Sequence, residues 1–302
     1  MDFSIVVPFH NAEEWLDRTI PALLDQRYPS DRYEIIMIDN NSTDAGPSVV
    51  ASYRQINLLC EERPGAYAAR NRGLARARGR IVAFTDPDCI PHPDWLHKLA
   101  DAMDADDVGI VLGAVLPGRN TACLRLITDY EHAKHLYVFS SSDPALYFGH
   151  TNNMAVRREI FDEVGTFDLL MRGADTLFVQ RVVHALSCTS VRYCDRARVR
   201  HLQIRSVRDY WGKLAIYARS ARRHAGLSPL RPLSNRERFR IVRQLIRQEK
   251  HDWPRAMLLL IILGLGWVYW ETGKCCPRRK AQPMLAEDGP GASTTEDPPR
   301  IT

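Results

Sequence analysis

The motif Asp86-Pro87-Asp88 places two carboxylates one residue apart, directly after an apolar run. Carboxylates at the end of a buried strand can together hold a hard divalent cation, because Mg²⁺ and Mn²⁺ prefer oxygen ligands. Such a cation would stabilise the negative charge that develops on a diphosphate when a sugar–phosphate bond breaks. Asp-Pro-Asp-Cys is also favourable turn chemistry, so the motif alone leaves a simple turn open.

Short apolar runs rich in Ile and Val alternate with helical patterns over the first 90 residues. The predicted strands are 4–7, 34–39, 56–60 and 80–86, and the predicted helices are 12–24, 47–53 and 66–77. This alternation predicts a doubly wound α/β sheet, in which ligands bind at the carboxyl ends of the strands. The polar segments 8–11, 39–44 and 86–88 follow three of these strands and therefore predict one shared binding site.

The rest of the chain continues the α/β pattern and then changes character. Residues 108–116 predict a strand, 124–139 and 175–186 predict helices, and 149–168 predict a strand, a short helix and a turn. Beyond His201 the helical pattern becomes amphipathic. Residues 281–302 are rich in Pro, Gly, Ser, Thr and acidic residues, a composition that predicts disorder.

Cysteine usage and missing motifs exclude several classes of protein. The seven cysteines show no CxxC pair, repeated spacing or histidine partners, which argues for a reducing compartment and against a disulfide framework or a zinc site. The N-terminal MDFSIVVPFHN does not predict a signal peptide, so we expect a cytoplasmic catalytic mass. Neither GxGxxG nor GxxxxGK occurs, so a dinucleotide-binding fold and a P-loop kinase are not supported.

The net charge of +5 is unevenly distributed. Residues 205–250 contain 13 Lys and Arg against 3 Asp and Glu, so the remainder of the chain is acidic overall. A basic arm on an acidic body predicts an anionic surface as the partner of the arm. Because the arm runs directly into an apolar segment, we expect this partner to be a membrane and not nucleic acid.

The apolar segment is the uncharged run 256–270. As a helix its 15 residues would reach about 22 Å at about 1.5 Å per residue, short of a hydrocarbon core of about 30 Å. We therefore expect the segment to lie in the membrane interface or to re-enter from the cytoplasmic side. A buried core helix is the alternative.

Six degenerate blocks occur in a fixed order along residues 3–225. They are SIVVPFHNAEEWLDRTIPALLDQRYP, EIIMIDNNSTD, RPGAYAARNRGLARARGRIVAFTDPDC, GHTNNMAVRREIFDEVGTFD, GADTLFVQRV and VRH. Together they resemble the family 2 glycosyltransferases. The resemblance implies a GT-A type doubly wound mixed sheet with a Rossmann-like nucleotide-binding half, and an inverting enzyme that depends on a nucleotide sugar. The QxxRW signature of processive synthases is missing after Asp175, which favours transfer of one sugar per encounter.

The resemblance also implies a set of nucleotide-binding residues. Pro8 and Asn11 would lie in the loop after the first strand and border the base. Asp39 would accept hydrogen bonds from the uracil or ribose, although an aspartate there could also cap a helix. Arg70 would pack on or bond to the base, with a helix-surface arginine as the alternative. Asp86 would bind the ribose or would contact the ligands of the metal without binding the metal itself.

Three further residues complete the implied site. Asp88 would be a direct ligand of a divalent cation, Mn²⁺ or Mg²⁺, and His201 would lie near the metal or the diphosphate, unless it is a structural histidine. Asp175 matches the general base, which takes the proton of the acceptor. The family places that aspartate after a glutamate, whereas this chain has Gly173-Ala174-Asp175. A helix N-cap is the alternative role for Asp175.

We therefore predict transfer of one sugar from a nucleotide-diphosphate sugar, with a UDP-sugar favoured, to a hydroxyl of a glycan or lipid-linked acceptor. Cell-envelope glycan or glycolipid synthesis at the inner face of the plasma membrane fits this prediction. Residues 1–205 would form the catalytic domain, 206–252 the basic arm, 253–273 the apolar segment and 274–302 the tail. A sugar nucleotidyltransferase and a catalytically impaired nucleotide-sugar-binding protein remain alternatives.

Overall fold

The computed structural model describes residues 1–223, 226, 229–248 and 253–275. Its strands are β1 Phe3–Phe9, β2 Tyr33–Asp39, β3 Ile56–Cys60, β4 Ile81–Thr85, β5 Cys89–Pro91, β6 Ile110–Pro117, β7 Asn153–Arg157 and β8 Val191–His201. Its α-helices are α1 Glu13–Leu24, α2 Gly46–Ala51, α3 Ala66–Arg76, α4 Trp95–Ala102, α5 Ala122–Phe139, α6 Arg158–Val164, α7 Ala174–Ala185, α8 Val207–Arg223, α9 Asn235–Gln248 and α10 Trp253–Cys275. The predicted tail 281–302 lies outside the described residues.

The strands form one mixed sheet in the order β3-β2-β1-β4-β7-β6-β8-β5. The first four strands are mutually parallel, as expected for strands joined by helices, and β7 is antiparallel to both of its neighbours. The predicted doubly wound mixed sheet is therefore confirmed. Parallel strands direct their carboxyl ends to one edge, so the segments after β1, β2 and β4 meet there.

Both faces of the central strands β1, β2 and β4 are buried, which explains why these strands are almost continuously apolar. In β1, Ile5 and Val7 pack with α1 and α4 on one face, whereas Val6 packs with α3 and α7 on the other. Between the faces, the indole Nε1 of Trp95 donates a hydrogen bond to Oδ1 of Asn153 at 2.9 Å. These two apolar layers hold the strand ends that carry the polar residues.

The C-terminal helices pack onto the body of the protein through α5. Leu124 and Ile127 of α5 bury Ile262 of α10, while Leu126 of α5 packs with Leu245 of α9 and Leu259 of α10. Helices α8 and α10 contact each other along their length. The ring of Trp211 stacks on Tyr269, with ring centroids 5.3 Å apart, and Trp211 Nε1 donates a hydrogen bond to the carbonyl oxygen of Ile262 at 3.1 Å. Gly273 of α10 lies against the backbone of Ala215 in α8. The basic arm and the apolar segment therefore pack directly against the catalytic body.

The apolar helix is longer than the sequence predicts. Whereas the uncharged run is 15 residues long, α10 has 23 residues and extends about 34 Å at about 1.5 Å per residue. Its stretch Trp253–Gly273 is long and apolar enough to cross a membrane, and only 22% of the most apolar part of it is buried. The expectation that this segment is too short to span was wrong, because helical structure continues into flanking residues on both sides.

Candidate active site

A cavity of 2190 Å³ opens at the carboxyl ends of β1 and β4. Seven of the eight residues singled out from the sequence line it: Pro8, Asn11, Arg70, Asp86, Asp88, Asp175 and His201. Asp39 does not line it, although its neighbour Asn40 does. The opposite walls come from α5, α8, α9 and α10, so the C-terminal helices enclose the same space.

Strand pairing brings Asp88 and His201 together. β5 runs antiparallel to β8 with Cys89 opposite His201, which places the carboxylate just before β5 beside the histidine that ends β8. Asp88 Oδ2 lies 3.3 Å from His201 Nδ1, and both side chains are buried. Ligand atoms of Asp88, Cys89 and His201 all lie within 4.8 Å of one another.

The Asp88–His201 pair suits a divalent cation. His201 Nδ1 is buried and has no hydrogen-bond partner among the described residues, despite its short distance to the carboxylate. Burial and the charge of Lys213 lower the pKa of His201 to about 4, so the ring is neutral at pH 7 and offers a lone pair. Burial and the charge of Asp86 raise the pKa of Asp88 to about 6. A buried carboxylate beside a neutral imidazole offers an oxygen donor and a nitrogen donor of the kinds that bind divalent cations.

Arg70 and Asp86 form the second charged pair of the cavity. Arg70, on α3, is only 5% exposed and donates a hydrogen bond from Nη2 to Asp86 Oδ1 at 2.6 Å. Its guanidinium also lies over the ring of Tyr67, 5.2 Å from the centroid. Arg70 is therefore not a helix-surface arginine, and the alternative role considered from the sequence is wrong. Its buried Nε has no hydrogen-bond partner in the described part of the chain.

Lys213 is a charged cavity residue that the sequence did not single out. It lies on α8, its Nζ contacts His201 Nε2, and its charge acts on both Asp86 and Asp88. Burial lowers the pKa of Lys213, and the neighbouring carboxylates oppose that change. In sequence Lys213 is one of many basic residues of an amphipathic helix, so only the packing of α8 distinguishes it.

Asp175 lies at the first turn of α7, half-buried in the cavity wall. Gly173 is the N-cap of α7 in the left-handed conformation (φ 87°), so the N-cap role considered for Asp175 is wrong. One carboxylate oxygen accepts from the amide of Thr151 at 3.3 Å, and the other from the amide of Thr176 at 2.9 Å. Burial raises the pKa of Asp175, while hydrogen bonding to Tyr67 opposes that rise.

The loops after β1 and β2 lock together at the rim of the cavity. Asn11, with a positive φ of 48°, accepts at Oδ1 a hydrogen bond from the amide of Thr43 at 2.7 Å. Asp39 Oδ1 accepts from the amide of Ser42 at 3.0 Å, which stabilises the loop that Asn11 contacts. Pro8 lies within β1 and not in the loop after it, since it pairs with Ile38.

His132 and His135 lie three residues apart on α5 and contact Tyr193 and Glu131. His132 Nδ1 lies 3.3 Å from the hydroxyl of Tyr193, and His135 Nδ1 contacts the carbonyl oxygen of Glu131 in its own helix. The His135 ring also stacks on Tyr193, with ring centroids 4.9 Å apart. The two histidines therefore support the packing of α5 on β8.

Residues 4–165, more than half of the chain, match the family model described as glycosyl transferase family 2. The chain belongs to this family. Among curated members it is 30% identical to glycosyltransferase AglE of Haloferax volcanii over 191 residues, which cover 60% of this chain and 61% of AglE. It is 28% identical over 117 residues to poly(ribitol-phosphate) beta-N-acetylglucosaminyltransferase TarS of Staphylococcus aureus, covering 37% of this chain and 20% of TarS. The family 2 chain thus spans less than two thirds of either relative.

Solved structures confirm the GT-A type fold of this family 2 glycosyltransferase. The mannosyltransferase PcManGT from Pyrobaculum calidifontis, in complex with GDP-Man and Mn²⁺, superposes with a TM-score of 0.58 at 20% identity, covering 90% of this chain and 83% of that one. TarS 1–349 in complex with UDP superposes with a TM-score of 0.54 at 19% identity, covering 82% and 71%. At these identities the likeness concerns the fold alone.

Proposed function

We propose that this family 2 glycosyltransferase transfers one sugar, with inversion, from a nucleotide-diphosphate sugar to an acceptor hydroxyl in cell-envelope glycan or glycolipid synthesis. The observation that carries the proposal is the convergence of Asp88, His201, Lys213 and Asp175 on the cavity at the carboxyl edge of the sheet. Relatives named for envelope polymers and neighbours solved with UDP and GDP-Man support the donor class.

Asp88 and His201 would hold the divalent cation, Mn²⁺ or Mg²⁺. When bound, the cation supplies positive charge for the diphosphate that leaves. Lys213 adds a fixed positive charge on the same side, because its ammonium reaches the pair from α8. Asp86 holds Arg70 in place by their ion pair, and Arg70 together with Pro8 and Asn11 lines the part of the cavity assigned to the nucleoside.

Asp175 would act as the general base. The acceptor oxygen attacks the anomeric carbon and its proton passes to the Asp175 carboxylate, while the bond from that carbon to the donor phosphate breaks. The electron pair of this bond leaves with the nucleoside diphosphate. Attack from the face opposite the leaving group gives inversion. The absent glutamate before Asp175 does not remove the base, since two backbone amides orient its carboxylate.

The described part of α10 favours peripheral attachment to the inner face of the plasma membrane. Leu259 and Ile262 bind the helix to the body, whereas Leu258, Ile261 and Leu265 are 36%, 54% and 45% exposed on an adjacent face. A helix held lengthwise on the catalytic body can present its free apolar face to the acyl boundary. This arrangement keeps the active-site cavity close to the lipid surface.

The proposal is tested with the full-length protein in detergent. Each of a panel of UDP-, GDP- and dTDP-sugars is incubated with Mn²⁺, Mg²⁺ or EDTA, and release of the nucleoside diphosphate is measured. We expect metal-dependent release with one nucleotide class, lost in Asp88→Asn and retained in Asp101→Asn, an exposed carboxylate on α4. Binding of the nucleotide sugar without turnover would indicate the impaired binding protein. Formation of nucleoside triphosphate from added pyrophosphate would indicate the nucleotidyltransferase.

A further inference from the structure

The active-site cavity continues into a groove between α9 and α10. We call this space the α9–α10 groove. Its α9 side consists of Val242, Arg243 and Ile246, and its α10 side consists of Leu260, Gly264 and Trp267. All six line the same cavity as Asp88 and Asp175. The groove is therefore an extension of the reaction site and not a separate surface pocket.

One face of α10 lines this groove. Leu260, Gly264 and Trp267 recur at helical spacing and lie one position, about 100° of helix rotation, after the row of Leu259 and Ile262 that packs on the body. Leu260 is 47% exposed and Trp267 is 55% exposed, so about half of each apolar residue is left open to solvent. An extended apolar ligand would remove them from water.

The α9 side adds positive charge at the groove. Arg243 and Arg247 lie one helical turn apart, both line the cavity, and both are exposed. Neither has an acidic partner among the described residues, unlike Arg231, which pairs with Asp143 and Glu237. Two guanidiniums without an acidic partner in the described part of the chain, beside an apolar channel, complement an anion attached to an apolar chain, because Arg binds phosphate oxygens with its planar fork.

We infer that the α9–α10 groove binds the acceptor, and that the acceptor is a lipid whose apolar chain carries a phosphate-bearing headgroup. The inference rests on the proposed function for its reaction. The chain lies along Leu260 and Trp267, the phosphate lies at Arg243 and Arg247, and the hydroxyl-bearing end of the headgroup extends to Asp175. A free phosphate would not explain the apolar wall, and a soluble glycan would not explain its exposure.

Binding is measured by calorimetry in detergent micelles, with full-length protein and three probes. Phytanyl phosphate has both the chain and the charge, phytanol has the chain alone, and inorganic phosphate has the charge alone. We expect saturable binding of phytanyl phosphate and at least tenfold weaker binding of the other two. Equal binding of phytanol and phytanyl phosphate would overturn the role of the arginines, and equal binding of inorganic phosphate would overturn the role of the apolar wall.

Two pairs of matched variants locate the site. Arg243→Ala/Arg247→Ala should weaken phytanyl phosphate binding at least tenfold, whereas Arg236→Ala/Arg240→Ala, on the exposed side of α9 away from the cavity, should change it less than twofold. Gly264→Phe should block the groove, since a side chain at Gly264 meets open space. Gly212→Phe adds the same bulk at an equally open position of α8 outside the cavity lining and should bind normally.

Donor turnover separates a failure of this inference from a failure of the proposed function. Metal-dependent release of nucleoside diphosphate does not require the groove, so Gly264→Phe should retain it while losing the lipid probe. If wild type releases the nucleotide but Gly264→Phe and Gly212→Phe bind phytanyl phosphate equally, the groove is not the acceptor site and the proposed function stands. If no nucleotide sugar is turned over, the proposed function fails, whatever the lipid binding shows.

Discussion

Lys213 places a positive charge close to two carboxylates of the cavity, Asp86 and Asp88, whose negative charges repel each other. Its neighbour His201 stays neutral, so Lys213 supplies a positive charge directly beside Asp88 and Asp86. Burial makes this charge effective, because a partly desolvated ammonium is screened less than an exposed one. A single residue of the basic arm thus connects α8 to the chemistry.

Replacing Lys213 by Met should weaken nucleoside diphosphate binding and slow transfer by about 10- to 100-fold, since hydrogen bonds to charged groups are worth about 1.5–3 kcal/mol. Titration of UDP or GDP into the protein in the presence of Mn²⁺ checks the binding, and release of nucleoside diphosphate in the panel assay checks donor turnover. Arg208→Met, an exposed position of the same helix, is the control and should behave as wild type. Unchanged diphosphate affinity in Lys213→Met would remove Lys213 from the site.

Asp175→Asn should bind donor as wild type does but transfer about 10²–10⁴ times more slowly, the usual contribution of a general base. The amide keeps the shape and loses the basicity. In wild type, the buried carboxylate has a raised pKa, so activity should fall with decreasing pH at a higher pH than the ordinary 3.8. A pH profile of kcat under saturating donor measures this limb. Near-normal turnover of Asp175→Asn would place the base elsewhere.

At the scale of elements, α9 is attached by a salt bridge network that the sequence does not reveal. Arg231 contacts Asp143 Oδ2 at 2.6 Å and Glu237 Oε1 at 2.9 Å, so the residues before α9 are tied to the segment after α5. Glu237 also accepts hydrogen bonds from the amide and hydroxyl of Ser234, which caps α9. These contacts help to fix the position of α9, which forms one side of the α9–α10 groove.

Acid should loosen this attachment. The hydrogen bonds from Arg231 lower the pKa of Glu237 to about 2 from 4.5, so the stabilisation is present above pH 4.5 and is lost as the pH falls towards 2. Asp143 and the hydroxyl of Tyr137 face the same cluster. We expect the Tm of wild type to exceed that of Glu237→Gln above pH 5, with the difference shrinking towards pH 2. A pH-independent difference would show that the carboxylate charge is irrelevant.

Strands β1, β2 and β4 could be predicted because both faces of each of them are buried, which leaves a continuous apolar run. β8 was not predicted: buried Ala197 and Val199 alternate with exposed Arg196 and Arg198 as in a strand, but the many charged residues of segment 191–201 make it resemble a polar loop. The Asp88–His201 pair is a consequence of β5–β8 pairing between segments more than a hundred residues apart. The resemblance identified these two residues, but their mutual distance needed the tertiary structure.

At the scale of the whole molecule, three faces of α10 have three different environments. One row packs on α5, the next lines the α9–α10 groove, and the third consists of Leu258, Ile261, Leu265 and Val268. The residues of the third row are between 36% and 54% exposed. If this exposed apolar row faces the membrane as proposed, the lipid surface and the proposed acceptor groove lie on the same side of the protein.

Replacing Leu258, Ile261, Leu265 and Val268 by Gln should therefore abolish attachment to the membrane while the fold and donor turnover survive. Complete burial of one such side chain is worth about 1.5–3 kcal/mol, so four partly exposed ones together contribute on the order of 5 kcal/mol to lipid binding. Flotation with vesicles of phosphatidylglycerol and phosphatidylethanolamine is measured near physiological ionic strength, where residual attraction of the basic arm is screened. Ile262→Gln is the contrasting control, because it buries an unpaired amide and should lower the Tm without improving solubility. If the fourfold variant floats as wild type does, the third row of α10 does not face the lipid, and attachment must come from the basic arm or from residues outside the described structure.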